Sequence, residues 1–77
     1  MRKEHIQEAV LSSLQNYFIG LDGQRPAGVY QMIIHAAERP VFVAAMKQAR
    51  NNQSTAAKIL GVNRNTLRKK LQEHELL

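Results

Sequence analysis

From Val41 to Met46 the chain runs Val-Phe-Val-Ala-Ala-Met without a polar residue, directly after Pro40. The surrounding pattern is helical: Val29, Met32, Ile33, Ala36 and Ala37 fall on one side of a helix expected from Pro26 to about Arg50. A helix segment that is apolar all round has to be buried all round. With 77 residues the chain cannot surround such a segment, because a protein of this size hides only about 60–65% of its unfolded surface. Small folds are usually reinforced by disulfides, a metal or a partner chain. Cysteine is absent, which removes disulfides and every thiolate zinc or iron–sulfur site. His5, His35 and His74 are too scattered for a local pair of metal ligands, so neither metal nor cofactor is expected. The remaining support is a second copy of the chain, sharing one core. A membrane role fits less well, since the apolar segment is about half the length of a span and has no basic polar face. Met1-Arg2-Lys3-Glu4-His5 lacks the apolar core of a signal peptide, and a cytoplasmic location is the expectation.

The rest of the chain is also helical in pattern, and no stretch alternates as a strand does. Ile6, Val10, Leu14, Tyr17 and Leu21 recur at helical spacing, with Leu11 and Phe18 widening the stripe, so a first helix is expected from Arg2 to Ile19. Gly20 ends it, and Asp22-Gly23 is a turn dipeptide. Pro26 suits the first turn of the second helix, whereas Pro40 should kink that helix or split it. After the break at Asn51-Asn52, Asn52 can cap a third helix, Gln53 to Leu60. Gly61 can close that helix in the left-handed conformation, and Asn63 can cap a fourth from Arg64 to about Glu75, with Leu67 and Leu71 inward. The expected fold is all-α, one domain over residues 1–77, with residues 1–50 for dimerisation and 51–77 for a second task.

Charge separates those two tasks. Residues 1–46 carry four basic and four acidic side chains, whereas residues 47–77 carry seven basic and two acidic, the whole net charge of +5. Between Lys47 and Lys70 there is no acidic residue. Such a block is either a solvated face or a surface for a polyanion, with nucleic acid favoured over membrane.

The spacing within that block favours nucleic acid. A helix-turn-helix needs two short helices crossing over a turn of three to four residues that often contains glycine. Ala57 is small enough for close crossing, Gly61 can take a positive φ, and Val62 is positioned to plug the corner. With Leu67 and Leu71 buried, Asn65, Thr66 and Lys69 point outward, flanked by Arg64 and Arg68. Arg64 lies in the first turn, the part of a recognition helix that enters a major groove. Ser54 and Thr55 are either first-turn polar residues or phosphate contacts, Lys58 is a solvated charge or a phosphate contact, and His74 reads as a partner for the C-terminal helix dipole.

Asn52-Gln53, Ala56-Ala57, Gly61 and the block Asn63-Arg64-x-Thr66-Leu67-Arg68-Lys69-Lys70-Leu71 closely resemble the Fis family (factor for inversion stimulation) of bacterial nucleoid proteins. The likeness extends upstream to Asn16-Tyr17-Phe18, Asp22-Gly23, Tyr30 and Glu38-x-Pro40, and so covers nearly the whole chain. The resemblance implies an intertwined homodimer of four-helix subunits, the first two helices making the shared core and the last two the helix-turn-helix. It implies double-stranded DNA as the partner, with Asn63, Arg64, Thr66, Arg68 and Lys69 as recognition-helix contacts. Asn52 and Ser54 would touch the backbone from the start of the third helix, and Lys70 would be a flanking contact. It also implies a DNA-bending transcriptional regulator of the nucleoid that favours an A·T-rich centre between half-sites, and leaves RNA polymerase open as a further partner. Two departures stand out. Gln72 and Glu73 occupy positions where some members have lysines, which weakens outer contacts. The first helix begins almost at Met1, where some members carry a β-hairpin arm that activates recombinases, so that activity is not expected.

Two other readings fit parts of the pattern. Output domains of nitrogen-control-type enhancer-binding activators resemble the same helix-turn-helix, and a helical dimerisation or adaptor protein could carry a basic segment for solubility alone. Enzymatic activity or a small-molecule substrate is not expected, because six dispersed carboxylates and three isolated histidines supply no convergent catalytic set.

Overall fold

The computed structural model describes residues 1–77 as four α-helices without a strand: α1 Lys3–Ile19, α2 Val29–Gln48, α3 Gln53–Leu60 and α4 Arg64–Glu73. The all-α, four-helix reading holds. The chain forms two compact units, Met1–His35 and Ala36–Leu77, divided inside α2.

In the first unit, Arg2 is the extended residue ahead of α1 and makes no side-chain cap bond. Glu4 in the first turn suits the positive end of the helix dipole. Val10, Leu14, Tyr17 and Leu21 form a half-buried stripe, but Ile6, Leu11 and Phe18 remain exposed and no residue of α1 is fully buried. The Tyr17 and Phe18 rings meet edge to face, 5.8 Å apart. Beyond Gly20, Asp22 (φ 51°) and Gly23 (φ 85°) both take left-handed conformations, and the Gln24 amide donates to the Leu21 carbonyl at 3.0 Å. This is the backbone of a type I′ turn, which Asp-Gly favours. The start of α2 differs from expectation: Pro26 lies outside the helix, which begins at Val29. Gly28 takes φ 64°, which no right-handed helix can contain, so the helix cannot reach back to the proline.

The second unit holds the buried core, made of Phe42, Ala45, Ala49, Ala56, Ala57, Leu67 and Leu71, with Met46, Leu60 and Leu76 packed against it. Four of these seven side chains are alanines, and this lets α3 and α4 come close to the end of α2. Pro40 does not split α2, which continues through it. Within the apolar hexad Phe42 and Ala45 are buried and Met46 half-buried, while Val41 and Val43 are 47% and 45% exposed. A single chain therefore covers one side of that segment and leaves the other open.

Three helix ends in this unit share one pattern. The amide of Asn51 donates to Met46 O, that of Val62 to Ala57 O and that of Leu76 to Leu71 O, at 2.8 to 3.0 Å. Bonds of shorter sequence span, 3.1 to 3.3 Å long, run inside each, from the amides of Arg50, Gly61 and Glu75 to the carbonyls of Lys47, Lys58 and Gln72. These are Schellman closures, in which the residue after the helix must be left-handed. Gly61 supplies it at φ 72° as the sequence suggests, but Arg50 (φ 52°) and Glu75 (φ 56°) adopt it despite their side chains. The closure also shortens α4, which ends at Glu73. Val62, expected to plug the corner, is 39% exposed; Ala57 and Leu67 already fill the space beneath the turn.

Candidate nucleic-acid interface

Both short helices are capped as their sequences require. Asn52 Oδ1 accepts the Thr55 amide at 3.0 Å, and Asn63 Oδ1 accepts the Asn65 amide at 2.7 Å. Each cap uses the side-chain oxygen, so the amide NH2, a pair of donors, takes no part in it. Neither helix has an acidic residue in its first turn. The partial positive charge of each N-terminus is therefore uncompensated and open to an anion.

The crossing of α3 and α4 brings four of the expected contact residues together. Asn52, Ser54, Arg64 and Arg68 line one open concavity of about 450 Å³, with Asn51, Gln53 and Leu77. Thr66, Arg68 and Lys69 line a shallower neighbour with Asn65 and Gln72. Arg64, Asn65, Thr66, Arg68 and Lys69 are all exposed, as the helical wheel requires once Leu67 and Leu71 are fully buried. Arg64, Arg68 and Lys69 form no ion pair, so their charge faces solvent undiminished. Arg68 lines both concavities. Asn63 stands apart from either, engaged in its cap.

Lys70 behaves differently from its neighbours. Its Nζ lies 3.2 Å from Glu38 Oε2 and 3.4 Å from Oε1, with Glu73 Oε2 at 3.6 Å. The same Glu38 carboxylate is 3.2 Å from Nε2 of His74, whose side chain is fully enclosed. Arg39 donates from Nη1 to the His74 carbonyl, and the His74 ring tilts against Phe42 at 5.7 Å. His74 is thus more than a residue at a helix terminus: it and Lys70, one turn before it, are both held by α2. The His74 hydrogen bond, followed by the bond and charge of Lys70, holds the Glu38 carboxyl below its ordinary value against the opposing effect of burial. Glu38 in turn raises the Lys70 ammonium above its ordinary value. Pattern reading missed this clasp because its partners lie 32 and 36 residues apart. No helix is long and apolar enough to cross a membrane.

Comparison with known proteins matches this architecture. The sequence profile of bacterial regulatory proteins of the Fis family matches residues 32–74, from the first turn of α2 to just past the end of α4. A Fis-like DNA-binding protein of Ralstonia nicotianae is 51% identical over all 77 residues, covering the whole of both chains. One from Neisseria meningitidis serogroup B is 49% identical over 94% of this chain and 91% of its own. The DNA-binding protein Fis of Actinobacillus succinogenes is 42% identical over 90% of this chain and 70% of its own. By sequence, the chain belongs to the Fis family of bacterial regulatory proteins.

Proposed function

We propose that the protein is a homodimeric DNA-binding and DNA-bending regulator of the nucleoid, reading DNA through the helix-turn-helix of α3 and α4. The observation that carries this reading is the concavity where Asn52, Ser54, Arg64 and Arg68 converge beside two uncompensated helix N-termini. A phosphate there meets amide donors, a hydroxyl and two guanidinium groups. Arg64 in the first turn of α4 is the base reader, Thr66 and Lys69 extend the contact along the groove, and Asn63 contributes its amide from the cap. The homodimer is supported by the open side of the Val41–Met46 segment and by exposed Leu11, Phe18 and Tyr30, apolar surface that a small soluble chain cannot afford.

Bending follows from the family arrangement. Two-fold helix-turn-helix dimers match half-sites about 34 Å apart, and a Fis-like core holds the recognition helices closer than that. The duplex must then bend and compress its central minor groove, which costs least in A·T-rich sequence.

Equilibrium titration of duplex DNA over a salt series tests the binding. With about eight phosphates neutralised, log K should fall against log salt with a slope of about −7. A salt-independent or absent interaction would favour the adaptor reading. Arg64→Ala should cost roughly 1–3 kcal/mol per site and relax base preference; equal loss on random and selected DNA would remove its role as a reader. Replacing an A·T-rich centre by G·C pairs between unchanged half-sites should lower both affinity and bend angle, and no change in either would remove the shape mechanism.

A further inference from the structure

The basic residues of α4 are not equivalent. Arg64, Arg68 and Lys69 carry unpaired charge, whereas Lys70 lies between two carboxylates, Glu38 from α2 and Glu73 from its own helix. The Lys70 ammonium is thus shared between two carboxylates and is not free as its neighbours are. Glu38 is also fixed in place, because one oxygen is bound to the enclosed His74 ring and the other to Lys70. The remaining charged group at this clasp, Arg39, is turned to the His74 carbonyl.

A DNA phosphate could reach Lys70 in two ways. Lys70 could leave Glu38, which would strand a partly buried carboxylate against a buried ring. Otherwise the phosphate would become a third anion around a single ammonium, and like charges brought together in this way repel. Both routes are unfavourable. The geometry points to Glu38 as a specificity-determining residue that withholds Lys70 from the DNA backbone, so that the phosphate-gripping surface of α4 ends at Lys69. This rests on the DNA-binding reading above. It departs from the flanking contact that the family resemblance implies for Lys70, and it assigns Lys70 to seating α4 on α2.

The test is a salt titration of the full-length protein on a random-sequence duplex, comparing wild type with Lys70→Ala, Lys69→Ala, Glu38→Gln and the double variant Glu38→Gln/Lys70→Ala. Glu38→Gln removes the charge and keeps a side-chain oxygen for His74. Lys69→Ala should flatten the slope of log K against log salt by about 0.9 per subunit, and Lys70→Ala should leave it unchanged. Glu38→Gln should release Lys70 and steepen the slope by about the same 0.9 per subunit, and the double variant should return to the wild-type slope. A flattened slope in Lys70→Ala, or an unchanged slope in folded Glu38→Gln, would overturn the proposal. Lys70→Ala decides the matter alone if Glu38→Gln proves unstable. Failure of the parent reading is distinguishable, because wild type and Lys69→Ala would then both lack salt-dependent binding.

Discussion

Residues 1–35 contain no fully buried side chain, although their helix is longer than either helix of the α3–α4 hairpin. Residues 36–77 contain all seven buried apolar side chains. The two regions are equally helical and differ in where their packing partners lie. The second region closes on itself because small alanines let three helices meet over Leu67 and Leu71. The first has only a half-buried stripe, and its exposed Leu11 and Phe18 have apolar surface still to cover. Regular helix can thus exist with its stabilising contacts incomplete, since helical stability in proteins comes mostly from tertiary packing. On the dimer reading, α1 and the open side of the Val41–Met46 segment both wait for the partner, whereas the cluster around Leu67 and Leu71 is packed within one chain.

The largest effect that would test this contrast is Val43→Asp. Val43 is 45% exposed in one chain, where an aspartate would cost little. In a shared core it would be an unpaired buried charge costing several kcal/mol. Loss of folding by circular dichroism is expected, and a soluble variant with wild-type melting and assembly would mean that no partner covers this face. Next comes Leu67→Ala, which removes a fully enclosed side chain and should cost about 2–5 kcal/mol. Thermal melts at several protein concentrations should show the same loss throughout if the second unit is self-sufficient. Asn63→Ala removes the cap of α4 and should cost about 1 kcal/mol. Glu75→Gly relieves a left-handed non-glycine residue and should stabilise by a few tenths to about 1 kcal/mol; a loss would show that Glu75 is not strained. The smallest effect is the pH dependence of the clasp. Glu38 lies below its ordinary 4.5, so its contribution is complete above that pH and fades as pH falls through the lowered value. Lys70 lies above 10.5, so its contribution is complete below that pH and fades as pH rises beyond it. A stability plateau between the two is expected, and Glu38→Gln should lower it and flatten the fall at both ends, because the variant lacks the clasp at every pH.

What was legible in the sequence was local. Asn52, Gly61 and Asn63 act within two to five residues of where they stand, so residue type and spacing were enough to place α3 and α4 and to turn Arg64, Thr66, Arg68 and Lys69 outward. The start of α2 departs from the expectation that Pro26 sets, because the positive φ of Gly28 forbids the helix from passing. Left-handed closure at Arg50 and Glu75 left no mark, since neither residue type signals that conformation. The concavity at Ser54 and Arg64 depends on how two helices cross, and the Glu38 clasp on a fold that brings distant residues together. No periodicity records either.

The span of that clasp has a kinetic consequence. Caps and Schellman closures join residues a few positions apart, and short loops close in well under a microsecond. The bond from Glu38 to His74 must bring together residues 36 apart and repays its chain entropy only when the unit is nearly assembled. Interactions absent from the transition state govern how fast a protein comes apart, not how fast it forms. Glu38 and His74 therefore act as a latch on the lifetime of the seated α4. A chain without them should refold at the normal rate and unfold sooner, which exposes α4 to proteolysis more often.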